Sequence, residues 1–110
     1  MDSPPTLSDL AFHILLALGE GPSHGYAIGK DVEERSAGRL DPTTGALYQV
    51  LRRLAEDGLI VAAGAPPGVD SRRKYFALTG RGKRAAAHEA RRLDALVRAA
   101  RQRKLYPQRA

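Results

Sequence analysis

Apolar residues recur at helical spacing near the start of the chain and predict a first helix. The repeated positions are Leu7, Leu10, Ala11, Ile14, Leu15 and Leu18. Thr6 and Asp9 match a capping box, in which the threonine begins the helix and the acidic side chain reaches back to it. Gly19 and Pro22 would end the helix, since glycine accepts a left-handed cap and proline cannot continue the hydrogen-bond pattern.

A second helix with a largely polar surface is expected over residues 24–36. Ser23 stands where an N-cap is needed, and Gly38 follows as a natural stop. The apolar positions of this segment are Tyr26, Ala27, Ile28 and Val32. Such a helix would pack along a narrow stripe and leave most of its surface in water.

The third predicted helix, over residues 44–57, has two distinct faces. Thr43 would cap it and Gly58 would follow its end. One face holds the apolar residues Ala46, Leu47, Val50, Leu51 and Leu54. The opposite face holds Thr44, Gly45, Tyr48, Gln49 and Arg52, with Arg53 at its edge. The apolar face would join a core, and the other would stay in solvent.

The pattern then changes from helical spacing to two short β-type runs. These runs cover residues 59–63 and 72–78, and the intervening segment 64–71 is rich in glycine and proline. Together they predict a two-stranded hairpin. A lone hairpin is marginal in water, so this one must pack against the helices.

A long final helix is predicted from a cap at Thr79 to about Lys104, followed by a tail over residues 105–110. Its length would be about 38 Å. Its narrow apolar stripe consists of Ala86, Ala90, Leu93, Val97 and Ala100, with Leu96 beside it. A small domain cannot cover such a stripe along its whole length. We therefore expect a homodimer seam along it, with contributions from Leu7 and Ala11 of the first helix.

Composition narrows the classes of protein that fit. A chain of 110 residues allows one small domain, and the lack of cysteine excludes disulfides, thiol catalysis and cysteine metal sites. The start of the chain does not resemble a signal peptide, and no run approaches the roughly 20 apolar residues of a membrane span. These features favour a cytoplasmic protein without a membrane partner.

The charge of the chain is strongly asymmetric. The net charge is +6: residues 1–70 hold 5 Lys/Arg and 10 Asp/Glu, a net −5, whereas residues 71–110 hold 13 and 2, a net +11. A basic C-terminal part of this kind indicates a polyanionic partner. The alternative is a basic helix that is simply solvated.

Three helices, a hairpin and a last helix follow one another in the order of a winged helix-turn-helix. The predicted fold is therefore mostly α with a small β-hairpin: a winged helix-turn-helix over residues 1–78 and a dimerisation helix over residues 79–104. In such folds one helix enters the DNA major groove, where Gln pairs with adenine and Arg with guanine. Wing cations reach phosphates or the minor groove. The predicted contacts to double-stranded DNA are Thr43, Thr44, Gly45, Tyr48, Gln49, Arg52, Arg53, Arg72, Arg73 and Lys74. For Tyr48, a half-buried packing role is the alternative.

Candidate catalytic chemistry is sparse. His13, His24 and His88 are scattered without metal-ligand spacing, and His24 reads as a packing or capping residue of the second helix. The adjacent acidic pairs point about 100° apart on a helix, so they do not form acid–base dyads. We expect neither an enzyme nor a metal or cofactor. The rival interpretations are a winged helix that contacts protein, or an RNA-binding module.

Several ordered motifs carry a resemblance to a known family. They are His24-Gly25-Tyr26, Gly45-Ala46-Leu47-Tyr48, Leu51-Arg52-Arg53-Leu54, Gly58-Leu59-Ile60, the run from Arg73 to Thr79, and Gly82. Over residues 7–84 the chain resembles the PadR-like transcriptional regulators, and its single C-terminal helix resembles their smaller subfamily. The resemblance implies a repressor, a homodimer joined through the last and first helices, and release from DNA by small aromatic effectors. The chain has no tryptophan to stack such a ligand, so Phe12 is the expected stacking residue.

Overall fold

Four helices and one small sheet make up the described part of the molecule. The computed structural model describes residues 6–69 and 72–107. The elements are α1 (Asp9–Leu18), β1 (Ser23–His24), α2 (Gly25–Arg35), α3 (Thr44–Glu56), β2 (Ile60–Ala63), β3 (Tyr75–Leu78) and α4 (Gly80–Gln102). The predicted winged helix with a long C-terminal helix is confirmed. The predicted loop 64–71 and tail 105–110 include residues 70–71 and 108–110, which lie outside the described residues.

The sheet has three strands rather than the predicted two. Its order is β1-β3-β2, and both pairings are antiparallel. Ser23 pairs with Phe76 and His24 pairs with Tyr75. The sequence prediction missed β1 because two residues show no alternation, and it began β3 too early, at Arg72. The three cations at positions 72–74 therefore lie before the strand, at the base of the wing.

Two of the four predicted N-caps are wrong. Ser8, not Thr6, caps α1, and its Oγ accepts a hydrogen bond of 3.1 Å from the backbone N–H of Ala11. His24, not Ser23, caps α2, because Ser23 belongs to β1. The caps predicted at positions 43 and 79 for α3 and α4 are confirmed.

The core lies between the first three helices and the inner side of the sheet. Its most deeply buried side chains are Ile14, Leu15, Ile28, Leu51, Leu59 and Val32. Leu7 and Ala11 also belong to this core, and they are only 8% and 6% exposed. They therefore offer little free surface to a second chain, and their part in a dimer seam stays a prediction.

The start of α4 is fixed to the end of α3. The hydroxyl of Thr79 donates to the carbonyl of Gly58 at 2.6 Å, and its backbone N–H donates to the carbonyl of Leu59 at 3.2 Å. Nε of Arg81 donates to the carbonyl of Asp57 at 3.0 Å. That carbonyl belongs to the C-cap of α3, where a cation is favoured by the helix dipole. The start of α4 is thus tied by hydrogen bonds to the segment that directly follows α3, and α4 also packs against α1.

Gly82 makes this attachment close. It is buried, and a Cβ at this position would overlap the carbonyl oxygen of Leu59 and lie 3.0 Å from the carbonyl carbon. The Cδ2 atom of Leu78 would be 3.1 Å away. Only a residue without a side chain allows the helix backbone to pass so near the backbone of Leu59.

The second half of α4 extends away from the core. Val97 belongs to the apolar stripe predicted from the sequence and Leu96 lies beside it, yet they are 37% and 56% exposed. The helix ends two residues before the predicted position: Lys104 adopts a left-handed conformation with φ 60°, and the N–H of Leu105 donates to the carbonyl of Ala100. An apolar surface therefore remains uncovered on this part of the single chain.

Candidate nucleic-acid interface

The outer face of α3 presents the polar residues predicted to contact DNA. Thr43 caps the helix by accepting a hydrogen bond of 3.2 Å from the backbone N–H of Ala46. The exposed members of the predicted set on this helix are Thr43, Thr44, Gly45, Tyr48, Gln49, Arg52 and Arg53. Leu47, Leu51 and Leu54 are buried behind them. The two-sided character of the segment thus anchors one face and leaves amide and guanidinium groups free to face a ligand.

Tyr48 packs against α2 while part of its ring stays exposed, and its contact with DNA stays a prediction. It is 39% exposed, and its phenol lies on the first turn of α2. A Cβ on Gly25 would overlap the phenol oxygen and lie 2.7 Å from ring carbon Cζ. The absence of a side chain at position 25 therefore makes room for the phenol of Tyr48 on the first turn of α2. Tyr48 can offer only part of its ring to a ligand.

Arg53 lies at the flank of α3, beside the start of α1. Its Nε is 4.0 Å from Oδ2 of Asp57, and its side chain is 78% exposed, so this ion pair is weak. Gln49 and Arg53 border a groove of about 480 Å³ between α3 and the start of α1. The apolar side of this groove is formed by Leu7, Ala11, Val50 and Leu54. Arg52, by contrast, is exposed and does not line this groove.

The cations of the wing base are exposed, and two of them are held by aromatic rings. Arg72, Arg73 and Lys74 immediately precede β3. The guanidinium carbon of Arg73 lies 5.7 Å from the ring centroid of Tyr26, and Nζ of Lys74 lies 5.6 Å from that of Phe76. Cation–ring contacts at this distance are attractive and give these two side chains a preferred direction.

The first turn of α2 connects the wing with α3. Gly25 meets Tyr48 of α3, while the two residues beside it, His24 and Tyr26, meet Arg73 of the wing. The sequence prediction treated Tyr26 as an apolar packing position, but it is 66% exposed. A tyrosine in the first turn of a helix with few apolar positions was the signal for this surface role. The wing base and α3 therefore belong to one continuous surface.

His24 sits at the centre of this connection. Its Nδ1 accepts a hydrogen bond of 3.2 Å from the backbone N–H of Ala27 and lies 3.2 Å from Nη1 of Arg73. Its ring meets Tyr75 edge to face, with centroids 5.3 Å apart. Burial, and then the positive charge of Arg73, lower the pKa of His24 below its ordinary value. The neutral ring, which can accept hydrogen bonds at Nδ1, is thereby favoured.

Three other kinds of feature would bear on function: a metal site, a membrane-spanning helix and an effector contact. Within residues 6–69 and 72–107, no cluster of His, Asp and Glu is arranged to hold a metal ion. No helix in the same ranges is both long and apolar enough to cross a membrane. Phe12, the expected effector contact, is half-buried and packs against the core.

Comparison with known proteins finds one family and many similar folds. The model of the transcriptional regulator PadR-like family matches residues 14–88. An uncharacterised 37.1 kDa protein of transposon TN4556 from Streptomyces fradiae is 37% identical over 83 residues. That match covers 76% of this chain but only 22% of the longer relative.

Two solved structures illustrate the structural similarity. A PadR family transcription regulator from Clostridium difficile R20291 superimposes with a TM-score of 0.73 at 23% identity, over 86% of this chain and 97% of that one. Bacillus subtilis PadR, solved in complex with operator DNA, gives a TM-score of 0.64 at 24% identity, over 76% of this chain and 47% of that one. At these identities the similarity establishes the shared fold.

Proposed function

Because the chain belongs to the PadR-like family of transcriptional regulators, we propose that it binds a specific double-stranded DNA sequence as a homodimer and represses transcription from it. The observation that carries the proposal is the continuous surface formed by α3, the first turn of α2 and the wing base. The solved complex of Bacillus subtilis PadR with operator DNA shows that a protein of this fold binds DNA.

In this proposal α3 reads bases and the wing positions the protein. Gln49 and Arg52 are exposed on the outer part of α3, and their side chains can pair with adenine and guanine in the major groove. The capped start of α3 can accept a phosphate at its free N–H groups. Arg73 and Lys74 suit phosphates or the adjacent minor groove, which position a protein without identifying most bases.

The homodimer would form along α4. Leu96 and Val97 are exposed in the single chain, and the half-buried Leu93 lies on the same stripe. A second copy of α4 would remove these side chains from water. Twofold symmetry would then place two α3 helices about one DNA turn, or roughly 34 Å, apart and select a palindromic operator.

We propose Phe12 as the contact for a small aromatic effector. It is the phenylalanine of α1, it is half-buried, and it packs against the core beside the expected seam. Screening planar aromatic compounds by thermal shift, with parent and Phe12→Leu protein, tests this assignment. A compound that stabilises both equally and releases neither from DNA would contradict it.

Capture of genomic fragments at moderate salt, followed by sequencing, tests the main proposal. Recovery of a shared palindrome is expected. Titration of that fragment should show affinity falling about a thousandfold from 50 to 200 mM salt if about six phosphates are neutralised. Salt-insensitive, weak binding would contradict the proposal and favour a protein-binding module, and preference for single-stranded RNA would favour an RNA-binding one.

Point variants assign the roles within the surface. Gln49→Ala and Arg52→Ala should each cost about 1–3 kcal/mol on the specific site and little on random DNA. Arg73→Ala and Lys74→Ala should weaken both DNAs alike and flatten the salt dependence. Arg98→Ala is the matched control, since it removes one exposed arginine of α4 that does not belong to the predicted DNA contacts.

A further inference from the structure

One nitrogen atom of His24 serves two separate elements. Nδ1 caps α2 through the N–H of Ala27, and the same atom faces Nη1 of Arg73 at the wing base. A neutral imidazole nitrogen without a proton has one lone pair, which these two donors must share. The start of α2 and the base of the wing are therefore held by the same acceptor.

The Tyr26 ring completes the arrangement around the arginine. Tyr26 is 66% exposed, and the Arg73 guanidinium lies over its ring at 5.7 Å. The ring gives the cation a platform on one side, and His24 gives it an acceptor. Two directional contacts from α2 thus restrict a long side chain that would otherwise sample many rotamers.

We propose that His24 and Tyr26 are positioning residues that hold Arg73 of the wing toward a DNA phosphate, and that protonation of His24 releases it, so that specific DNA binding weakens in acid. This inference rests on the proposed function for its DNA partner. The contact itself belongs to the free protein.

Protonation would remove both polar contacts made by Nδ1 of His24. A protonated imidazole donates from both nitrogens and accepts at neither, so the cap to Ala27 and the acceptor for Arg73 would both disappear. The new positive charge would also repel the guanidinium. The edge-to-face contact with Tyr75 can survive, because it depends on the ring rather than on its proton.

The surrounding charges come from two sides. Lys30, Asp31 and Glu34 of α2 line the groove that also contains His24, Tyr26 and Arg73. Asp31 is paired with Arg35 at 2.5 Å, which reduces its availability to a released wing arginine. From the wing side Arg73 faces His24, and Lys74 follows it in the chain. A released Arg73 would therefore have Glu34 as an alternative partner and would lose its fixed direction.

The first arm of the test uses the free protein. Two-dimensional NMR of the Arg73 guanidinium Nη–H groups should give a distinct, protected signal at about pH 7.5, where Nη1 faces His24, and a solvent-like one at about pH 5.5. His24→Asn should keep the protected signal at both values, because asparagine caps a helix, can accept from arginine and does not titrate in this range. Tyr26→Leu should weaken the protection at both values. An Arg73 signal that ignores pH in the parent, or that changes equally in His24→Asn, would overturn the inference.

The second arm measures affinity for a fragment recovered from genomic capture, at constant ionic strength. The parent should lose about tenfold between pH 7.5 and 5.5, on the scale of one charge-assisted hydrogen bond. His24→Asn should change less than about twofold on the same scale. If His24 were merely another surface cation, acid would raise the parent's affinity, and that result would overturn the positioning role. If no DNA binds even at pH 7.5, the proposed function fails, and the first arm still decides the contact.

Discussion

The close approach of Gly82 to the backbone of Leu59 makes a sharp prediction for Gly82→Ala. The added methyl group would overlap the carbonyl oxygen of Leu59, which lies directly before β2 and accepts the N–H of Thr79. A backbone atom cannot rotate aside as a side chain does, so α4 must shift. Overpacking of this kind costs about 1–3 kcal/mol, and losing the Thr79–Leu59 hydrogen bond adds about 1 kcal/mol. The better helix propensity of alanine returns about 1 kcal/mol.

The net effect should be a loss of about 1–3 kcal/mol, or a fall in Tm on the order of 5–20 °C for a domain of this size. Gly80→Ala is the matched control, because the nearest atom to its Cβ would be the flexible Nη1 of Arg84, at 3.4 Å. Thermal and urea unfolding of both variants at equal concentration measures the difference. Equal stability of the two variants would refute the idea that backbone contact fixes the start of α4.

Three further outcomes follow from other contacts. The unfolding free energy should decrease as the pH falls below 6.5 toward the lowered pKa of His24, because the unfolded chain then binds a proton at His24 more readily than the folded chain does. Urea melts of the parent should show this decrease, and melts of His24→Asn should lack the part of it that is due to His24. Leu96→Glu with Val97→Glu should leave the core folded and give a monomer by sedimentation, whereas Ala95→Glu on the opposite face should remain a dimer; a double variant that stays dimeric contradicts the seam. Gly25→Ala should displace the phenol that lies on it and reduce specific DNA affinity more than random-DNA affinity, as titrations on both DNAs would show; equal losses would contradict a role in placing α3.

The sequence predicted α3 and α4 well because each segment contains its own N-cap residue and its own apolar face. Thr43 and Thr79 are good caps, and the apolar positions behind them repeat over several turns. The helix bounds were therefore within two residues of those observed. Such information is local, and it does not depend on the partner against which a helix packs.

Contacts made across the chain could not be predicted in the same way. β1 consists of two residues and exists because Ser23 and His24 meet Phe76 and Tyr75, about fifty residues later. Because Ser23 pairs in β1, the N-cap of α2 is His24 and not Ser23. The contact between Tyr26 and Arg73 also depends on where the wing base lies in the fold, which no local sequence pattern indicates.

The rigid attachment of α4 to the end of α3 has a mechanical consequence. α4 contains 23 residues and is about 35 Å long. In the proposed dimer, held at the outer part of α4, this helix would act as a lever, and its start would carry α3, the proposed base-reading helix. A tilt of about 10° at the seam would move that end by about 6 Å, nearly two base-pair steps when a turn of about 34 Å holds about ten. The spacing of operator half-sites that the protein accepts would then be set by side-chain packing far from any base, so substitutions along the seam could retune the preferred spacing while leaving the bases that are read unchanged.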